Sequence, residues 1–430
     1  MHVFDYQPDF KKSTLSNGVT VVTEHHRYTR ATCASIFVKM GTRDEPDELN
    51  GVAHFLEHLV FKGTENRSAL DIVKEVEAVG GELNAYTTRE YTCFHTTSLR
   101  EDLGLCLDVL TDIINNATID GSDFDKERDV VLHEIDMTAD QLEEYIFDMC
   151  FELAYKGHSL GRSILGTPET LKNMTPEMVK EYYDKFYRGK NIIVSVAGDV
   201  DHDEVVKLCE EKLGKKLLEV ESSIGSETPS VKSFQHYVSR PSEQTHLLLN
   251  FPSTAYKEDT RFDAYMVNAL LGGGMTSRLY QKIREEKGWV YSVYSYLSSY
   301  VDSGSLSLYA GTTDEYCVDV AKEFISEVNQ LVANGVTDEE LGFFKRQVKG
   351  QILLGADDVE NRMNSIAVNE MIFGEYRSVL QVIEQIDAVT PDSVKQYLQT
   401  YLNWEQAGIL VLGNAQASHA EQIFNLNPLG

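Results

Sequence analysis

The chain has 430 residues, 42% of them hydrophobic, which suffices for more than one core and is more natural for two domains than for one. Its 39 basic against 68 acidic side chains give a formal charge of −29, which argues against nucleic acid and anionic membranes as partners and favours polar or basic substrates. Six cysteines (Cys33, Cys93, Cys106, Cys150, Cys209, Cys317) stand without a C-x-x-C pair, so they read as reduced core residues, not as a disulfide framework or a zinc knuckle. The opening Met-His-Val-Phe-Asp-Tyr has no basic stretch ahead of an apolar run, and no segment approaches the length of a bilayer span. A soluble cytoplasmic protein is expected, or an organellar-matrix one if a transit peptide has been removed.

In chain order, Leu15-Ser16-Asn17-Gly18-Val19-Thr20-Val21-Val22 predicts a hairpin, because Asn-Gly accepts the positive φ angles of a tight turn between alternating strands. Residues 34–40 predict a buried strand, and a charged loop at 42–49 leads to Asn50, a helix cap. Then comes Gly51-Val52-Ala53-His54-Phe55-Leu56-Glu57-His58-Leu59-Val60-Phe61. Residues four apart lie one above the other on a helix, so His54 and His58 can reach one metal ion, and Glu57 shares their face. This His-x-x-Glu-His order inverts the commoner His-Glu-x-x-His and supplies the same parts: two neutral nitrogen ligands and a carboxylate that need not bind the metal. Beyond it, 70–79 predicts a helix ending at Gly80-Gly81, 82–98 is strand-rich, and 99–116 and 124–154 predict two further helices, the second long and acidic.

The second half echoes the first at an offset of 215 residues, half of 430. Thr175-Pro176-x-x-Val179-Lys180-x-Tyr182, running to Val196-x-Gly198-Asp199, matches Thr390-Pro391-x-x-Val394-Lys395-x-Tyr397, running to Val411-x-Gly413-Asn414. The same shift lays Ser122-Asp123 on Thr337-Asp338 and Cys93-Phe94 on Leu308-Tyr309. A polar Ser/Gly/Pro stretch at 219–233 reads as a linker between domains at 1–218 and 234–430. Each half mixes strand pairs with long helices, so the expected fold is α+β: two tandem domains of one architecture, each a mixed, mainly antiparallel sheet backed by helices. Under the shift His54, Glu57 and His58 fall on Ala269, Gly272 and Gly273, so maintaining the fold does not require metal-binding groups at that place.

Catalytic zinc usually has three protein ligands and an open position for water. On the long acidic helix Glu127, His133, Glu134, Asp136 and Asp140 are candidates for the third, and composition does not choose among them. The run His54 to Thr64 (HFLEHLVFKGT), with Gly80-Gly81-Glu82-Leu83-Asn84-Ala85 and Glu127-x6-Glu134-Ile135-x-Met137, resembles the pitrilysin/insulinase family of zinc metallopeptidases over nearly the whole chain. More narrowly it resembles the short members akin to the mitochondrial processing peptidase β-subunit and its bacterial relatives. The resemblance implies one Zn2+ per chain on His54, His58 and Glu134, with Glu57 as general base and Glu127 as an accessory acidic residue. His133 stands where many relatives carry glutamate. In Leu271-Gly272-Gly273-Gly274-Met275-Thr276-Ser277-Arg278 and Arg284-Glu285-Glu286-Lys287-Gly288-Trp289-Val290-Tyr291 the glycines lack a following Gly-Lys-Ser/Thr, which weakens a phosphate-loop reading. The resemblance instead makes Arg284 and Tyr291 an assisting pair, acting in a homodimer on the partner's zinc. It also implies substrate contact at Asn84 and Ala85, on an edge strand that pairs with extended peptide, and at Phe55. The expected activity is endopeptidase cleavage of short or unfolded polypeptides. The alternatives are one subunit of a heterodimeric processing peptidase and a non-catalytic peptide-binding scaffold.

Overall fold

A computed structural model describes residues 9–119, 121–213 and 228–426. The first six strands are β1 (Asp9–Thr14), β2 (Thr20–His25), β3 (Ala31–Val38), β4 (Glu82–Thr87), β5 (Thr92–Leu99) and β6 (Ile192–Gly198), and they form one sheet in the order β1-β2-β6-β3-β5-β4. A second sheet has the order β7-β11-β8-β10-β9, from β7 (Phe234–Ser239), β8 (Thr245–Ser253), β9 (Val290–Ser299), β10 (Gly304–Thr312) and β11 (Gly408–Gly413). Apart from β1, the two orders correspond strand for strand. In both, among the described residues, the one parallel pairing joins the late-arriving strand to the first of the shared series, β6 to β2 and β11 to β7. The repeat at 215 residues is therefore a repeat of topology, and the α+β expectation holds.

The Asn-Gly hairpin forms as predicted: β1 and β2 pair antiparallel and Gly18 takes φ 89°. The helix after the metal motif runs Ala69–Glu77 and is followed by Gly80 at φ 71°. The acidic stretch at 124–154 is two helices, Gly121–Asp140 and Leu142–Ala154, parted where Gln141 leaves helical geometry at φ −89° and ψ 82°. Asn50 does not cap the motif helix; Gly51 stands at its N-cap with φ 96°, a conformation that a side chain would strain.

Both faces of the central strands are buried, which explains why β3 and β6 read as nearly continuous apolar runs. On one face of the first sheet, Val21, Ala34, Ile36, Phe94 and Val194 join a core with the motif helix and the helix Leu103–Asn116. On the other, Val22, Cys33, Phe37, Cys93 and Ile193 pack against Val359, Met363 and Ile366 of the helix Val359–Phe373. In the second sheet, Leu248, Tyr309, Leu410 and Leu412 pack against Ile146 and Cys150 of the helix Leu142–Ala154. All six cysteines are buried and free.

The chain accordingly forms two compact units that are not consecutive halves. Met1–Asp136, Arg162–Gly225 and Leu353–Val379 make the first, and Met137–Gly161, Ser226–Ile352 and Leu380–Gly430 the second. The simple division at 219–233 is thus modified, because each half lends a helix to cover the second face of the other's sheet. Residues 219–227 of the expected linker, and the N-terminal Met1–Tyr6, lie outside the described residues. Among the described residues no helix is long and apolar enough to cross a membrane.

Candidate metal centre

The motif helix, Val52–Val60, is buried at every position except His54, Glu57 and His58. Six apolar or small side chains bind it to the core, and the three polar ones share the remaining face because they are three and four residues apart. Across from them runs the helix Gly121–Asp140, anchored by Phe124 and Val131, both buried. Glu127 and Glu134 recur on that same face, three after Phe124 and three after Val131.

His54 Nε2 stands 3.7 Å and His58 Nε2 3.5 Å from a single oxygen, Oε2 of Glu134. These separations are long for hydrogen bonds. They match the spacing of about 3.3–3.6 Å between ligand atoms around a tetrahedral ion held by bonds of about 2.0–2.2 Å. His54, His58 and Glu134 each bring a donor atom, all within 4.8 Å of one another. Burial, then the neighbouring imidazole of His58, holds His54 down to about 3, so its ring is neutral with a lone pair to donate. Among the described residues the buried Nδ1 of His54 has no hydrogen-bond partner. The donor set of two imidazoles and a carboxylate thus fits zinc.

Glu127 stands outside the three-donor group. Its Oε2 lies 3.3 Å from His58 Nδ1, and its Oε1 lies 2.8 Å from Lys62 Nζ, so it orients the ring whose opposite nitrogen faces Glu134. Glu57 points to the same space, and its Oε2 accepts a 2.6 Å hydrogen bond from the Thr87 hydroxyl at the end of β4. Burial raises the Glu57 carboxyl above its usual range, against the lowering effect of Thr87 and His58.

Asn84 and Ala85 lie on β4, at the edge of the first sheet, with Asn84 exposed and its Oδ1 accepting from the Ala85 amide at 2.8 Å. Phe55 is a correction: its side chain is 0% exposed and packs edge-on against Phe124 at 4.8 Å, so it supports the helix from inside and is closed to substrate. His133 is exposed, and the ligand face of its helix is carried by Glu134. Arg284 and Tyr291 belong to the second unit. The Arg284 guanidinium lies 5.0 Å over the Tyr280 ring within the π-helical turn Tyr280–Glu285, and Tyr291, on β9, is 77% exposed.

Two contributors escape sequence reasoning. Thr87 lies two residues beyond Ala85 on the same strand, but only the folded strand shows that its hydroxyl holds Glu57. Glu45 lies in the charged loop and is 4% exposed. Its carboxylate accepts from Ala53 N at 2.8 Å, Gly51 N at 2.8 Å and Asn50 Nδ2 at 2.9 Å, taking over the capping of the motif helix from a distance in sequence. Burial pushes its carboxyl up to about 8 despite those three bonds.

A second His/Cys/Asp group, Asp314, Cys317 and His419, differs in kind. There His419 Nδ1 is 2.8 Å from Asp314 Oδ1, which also accepts from Gln416 N at 2.9 Å, and burial pushes the Cys317 thiol up to about 11. Its donors are already satisfied by one another.

The chain matches the family model for the insulinase peptidases (peptidase family M16) over residues 20–168, and the one for the M16 inactive domain over 173–348. The second match covers the region in which Ala269, Gly272 and Gly273 replace the motif. An uncharacterized zinc protease of Mycobacterium leprae is 38% identical over 94% of this chain and 91% of its own length. One from Streptomyces coelicolor is 35% identical over 96% and 91%, and one from Bacillus subtilis 34% over 89% and 93%. A crystal structure of a protease from Helicobacter pylori superposes with a TM-score of 0.87 at 22% identity, covering 95% of this chain and 100% of that one, which shows a shared fold. With matched sequence, matched fold and a three-donor site in the first unit, the chain belongs to the insulinase family of peptidases, M16.

Proposed function

We propose that this protein is a zinc-dependent endopeptidase acting on short or unfolded polypeptides, with His54, His58 and Glu134 holding the ion and Glu57 as general base. The observation that carries this reading is the convergence of two imidazole nitrogens on one Glu134 oxygen at 3.5 and 3.7 Å, with the Glu57 carboxylate on the same helix face. When bound, zinc supplies a Lewis acid that brings the pKa of a water towards about 7. Glu57 would accept a proton at its carboxylate from the attacking water and pass it to the leaving amine as the peptide C–N bond breaks. Thr87 holds one Glu57 oxygen, Oε2, which leaves Oε1 as the atom that would move the proton. Extended substrate adds to β4 at Asn84 and Ala85 through main-chain hydrogen bonds, which favours unfolded chains over folded ones.

The same reading makes the working form a homodimer in which Arg284 holds a substrate carbonyl and Tyr291 donates to the developing oxyanion at the site of a second copy. The exposure of Tyr291 supports a role at a surface that another chain can approach.

Glu57→Gln is expected to retain one zinc per chain by metal analysis while losing about 100- to 10,000-fold in turnover of a quenched peptide. A chelator abolishes cleavage by the parent chain. Wild-type turnover in Glu57→Gln would remove that residue from the mechanism. For the dimer, mixing inactive Glu57→Gln and Tyr291→Phe chains restores part of the turnover, since a mixed pair has one intact site; a mixture as inactive as its components counts against action across the dimer.

A further inference from the structure

One lysine borders the metal centre. Lys62 Nζ lies 2.8 Å from Glu127 Oε1, and the other oxygen of that carboxylate, Oε2, lies 3.3 Å from His58 Nδ1. Among the described residues no other lysine or arginine comes within ion-pair distance of Glu57, Glu127 or Glu134. Its place has a local cause: Lys62 stands four residues after His58, and its amide bonds to Leu59 O at 3.0 Å in the turn that closes the motif helix. A cation is favoured at a helix C-terminus in any case, which alone would account for a lysine there. It does not account for the partner. Glu127 is only 7% exposed, and a carboxylate so enclosed needs a counter-charge where an exposed one would have water.

The two histidines differ in what stands behind them. His54 Nδ1 is buried and has no hydrogen-bond partner among the described residues, so no carboxylate acts on that ring from its far side. At His58 the far side belongs to Glu127, and the influence of Glu127 depends on what else holds it. A carboxylate behind a ligating imidazole fixes the ring and also makes its other nitrogen a stronger donor. Stronger donation holds a cation more firmly and leaves it a weaker Lewis acid. A positive charge on the carboxylate works against the second effect and keeps the first.

We propose that Lys62 is a positioning residue of the metal centre: it binds the far oxygen of Glu127 and offsets its charge, so that Glu127 fixes the His58 ring without passing its full negative charge to the ion. Lys62 thereby sets the balance between holding zinc and keeping it acidic. The proposal rests on His54, His58 and Glu134 being the residues that hold zinc.

The test measures two quantities on the full chain: zinc affinity, by competition with a chromophoric chelator, and turnover of a quenched peptide by the zinc-loaded protein. In Lys62→Met, zinc is expected to bind about tenfold tighter while kcat falls about tenfold, the scale on which the partners of metal ligands act. Lys62→Arg, which keeps the charge, restores both to within about threefold of the parent. In a Glu127→Gln background, Lys62→Met changes zinc affinity by less than about twofold, since the carboxylate through which Lys62 acts is gone. The opposite signs are the signature. A lysine that only stabilises the turn would lower affinity and turnover together, and that outcome overturns the proposal. So does a Lys62→Met chain that matches the parent in both, or an effect that survives in Glu127→Gln. Tighter zinc in Lys62→Met, with no chelator-sensitive cleavage by the parent, keeps the charge balance and overturns the endopeptidase reading. Cleavage by the parent, with zinc affinity unchanged in Lys62→Met, does the reverse.

Discussion

At the residue scale, the metal centre depends on side chains that never touch the ion. Glu45 is the clearest case. It satisfies the amides of Gly51 and Ala53 at the start of the motif helix, where Gly51 has no side chain to do so. Removing it leaves two amides and the Asn50 side chain without that partner in a closed loop. Glu45→Ala is expected to cost about 2 kcal/mol of stability and to weaken zinc retention, since His54 is only one residue beyond Ala53. Thermal unfolding and competition with a zinc indicator read both effects. A variant with parental midpoint and affinity would show that the loop caps the helix by other means.

At the element scale, the two units place the same helix in different surroundings. In the first, the helix Val52–Val60 leaves a polar face open, and Glu57 spans the gap to Thr87. In the second, the helix Arg261–Gly272 carries Gly272 at the position equivalent to Glu57, and a Cβ added there would stand 2.2 Å from Ser295 N of β9. The helix rests on the strand's backbone, so no side chain fits where the first unit carries Glu57. Gly272→Ala should therefore destabilise the second unit by about 1–3 kcal/mol, lowering the first transition in thermal melts, while zinc content per folded chain is kept. A variant that melts like the parent would mean that helix and strand separate easily.

At the scale of the whole chain, the exchanged helices tie distant parts of the sequence into single cores. Val359–Phe373 is held to the first sheet by a buried ion pair, in which Arg362 Nε and Nη2 donate to the two Glu24 oxygens at 2.7 Å each. Burial alone would raise the Glu24 carboxyl, but Arg362, His26 and Tyr376 outweigh it and hold it at about 2, down from the ordinary 4.5. A carboxyl depressed in the folded state stabilises fully above its unfolded value and loses that contribution as pH falls from about 4.5 to 2. The linkage amounts to about 3 kcal/mol. Glu24→Gln, which leaves Arg362 buried without its carboxylate, should be less stable than the parent at pH 7 by a similar amount, and the gap should narrow between pH 5 and 2.5 in urea titrations. A gap that stays constant over that range would place the pH sensitivity elsewhere.

Much of this protein is local and was therefore legible in its residues. The spacing of His54, Glu57 and His58 puts them on one helix face in any fold that keeps the helix, and Asn17-Gly18 makes a hairpin wherever strands flank it. The repeat at 215 residues implies two similar sheets because equal sequence patterns bury equal faces. What required the tertiary structure were the relations between elements remote in sequence. Periodicity cannot show that Glu134 meets the histidines while Glu127 stops at His58 Nδ1, that Glu45 caps a helix it does not belong to, or that Phe55 is sealed in the core. Nor can it show that each half covers one face of the other's sheet. A chain records which faces are apolar, but which element comes to lie on each face is settled only when the two cores close around them.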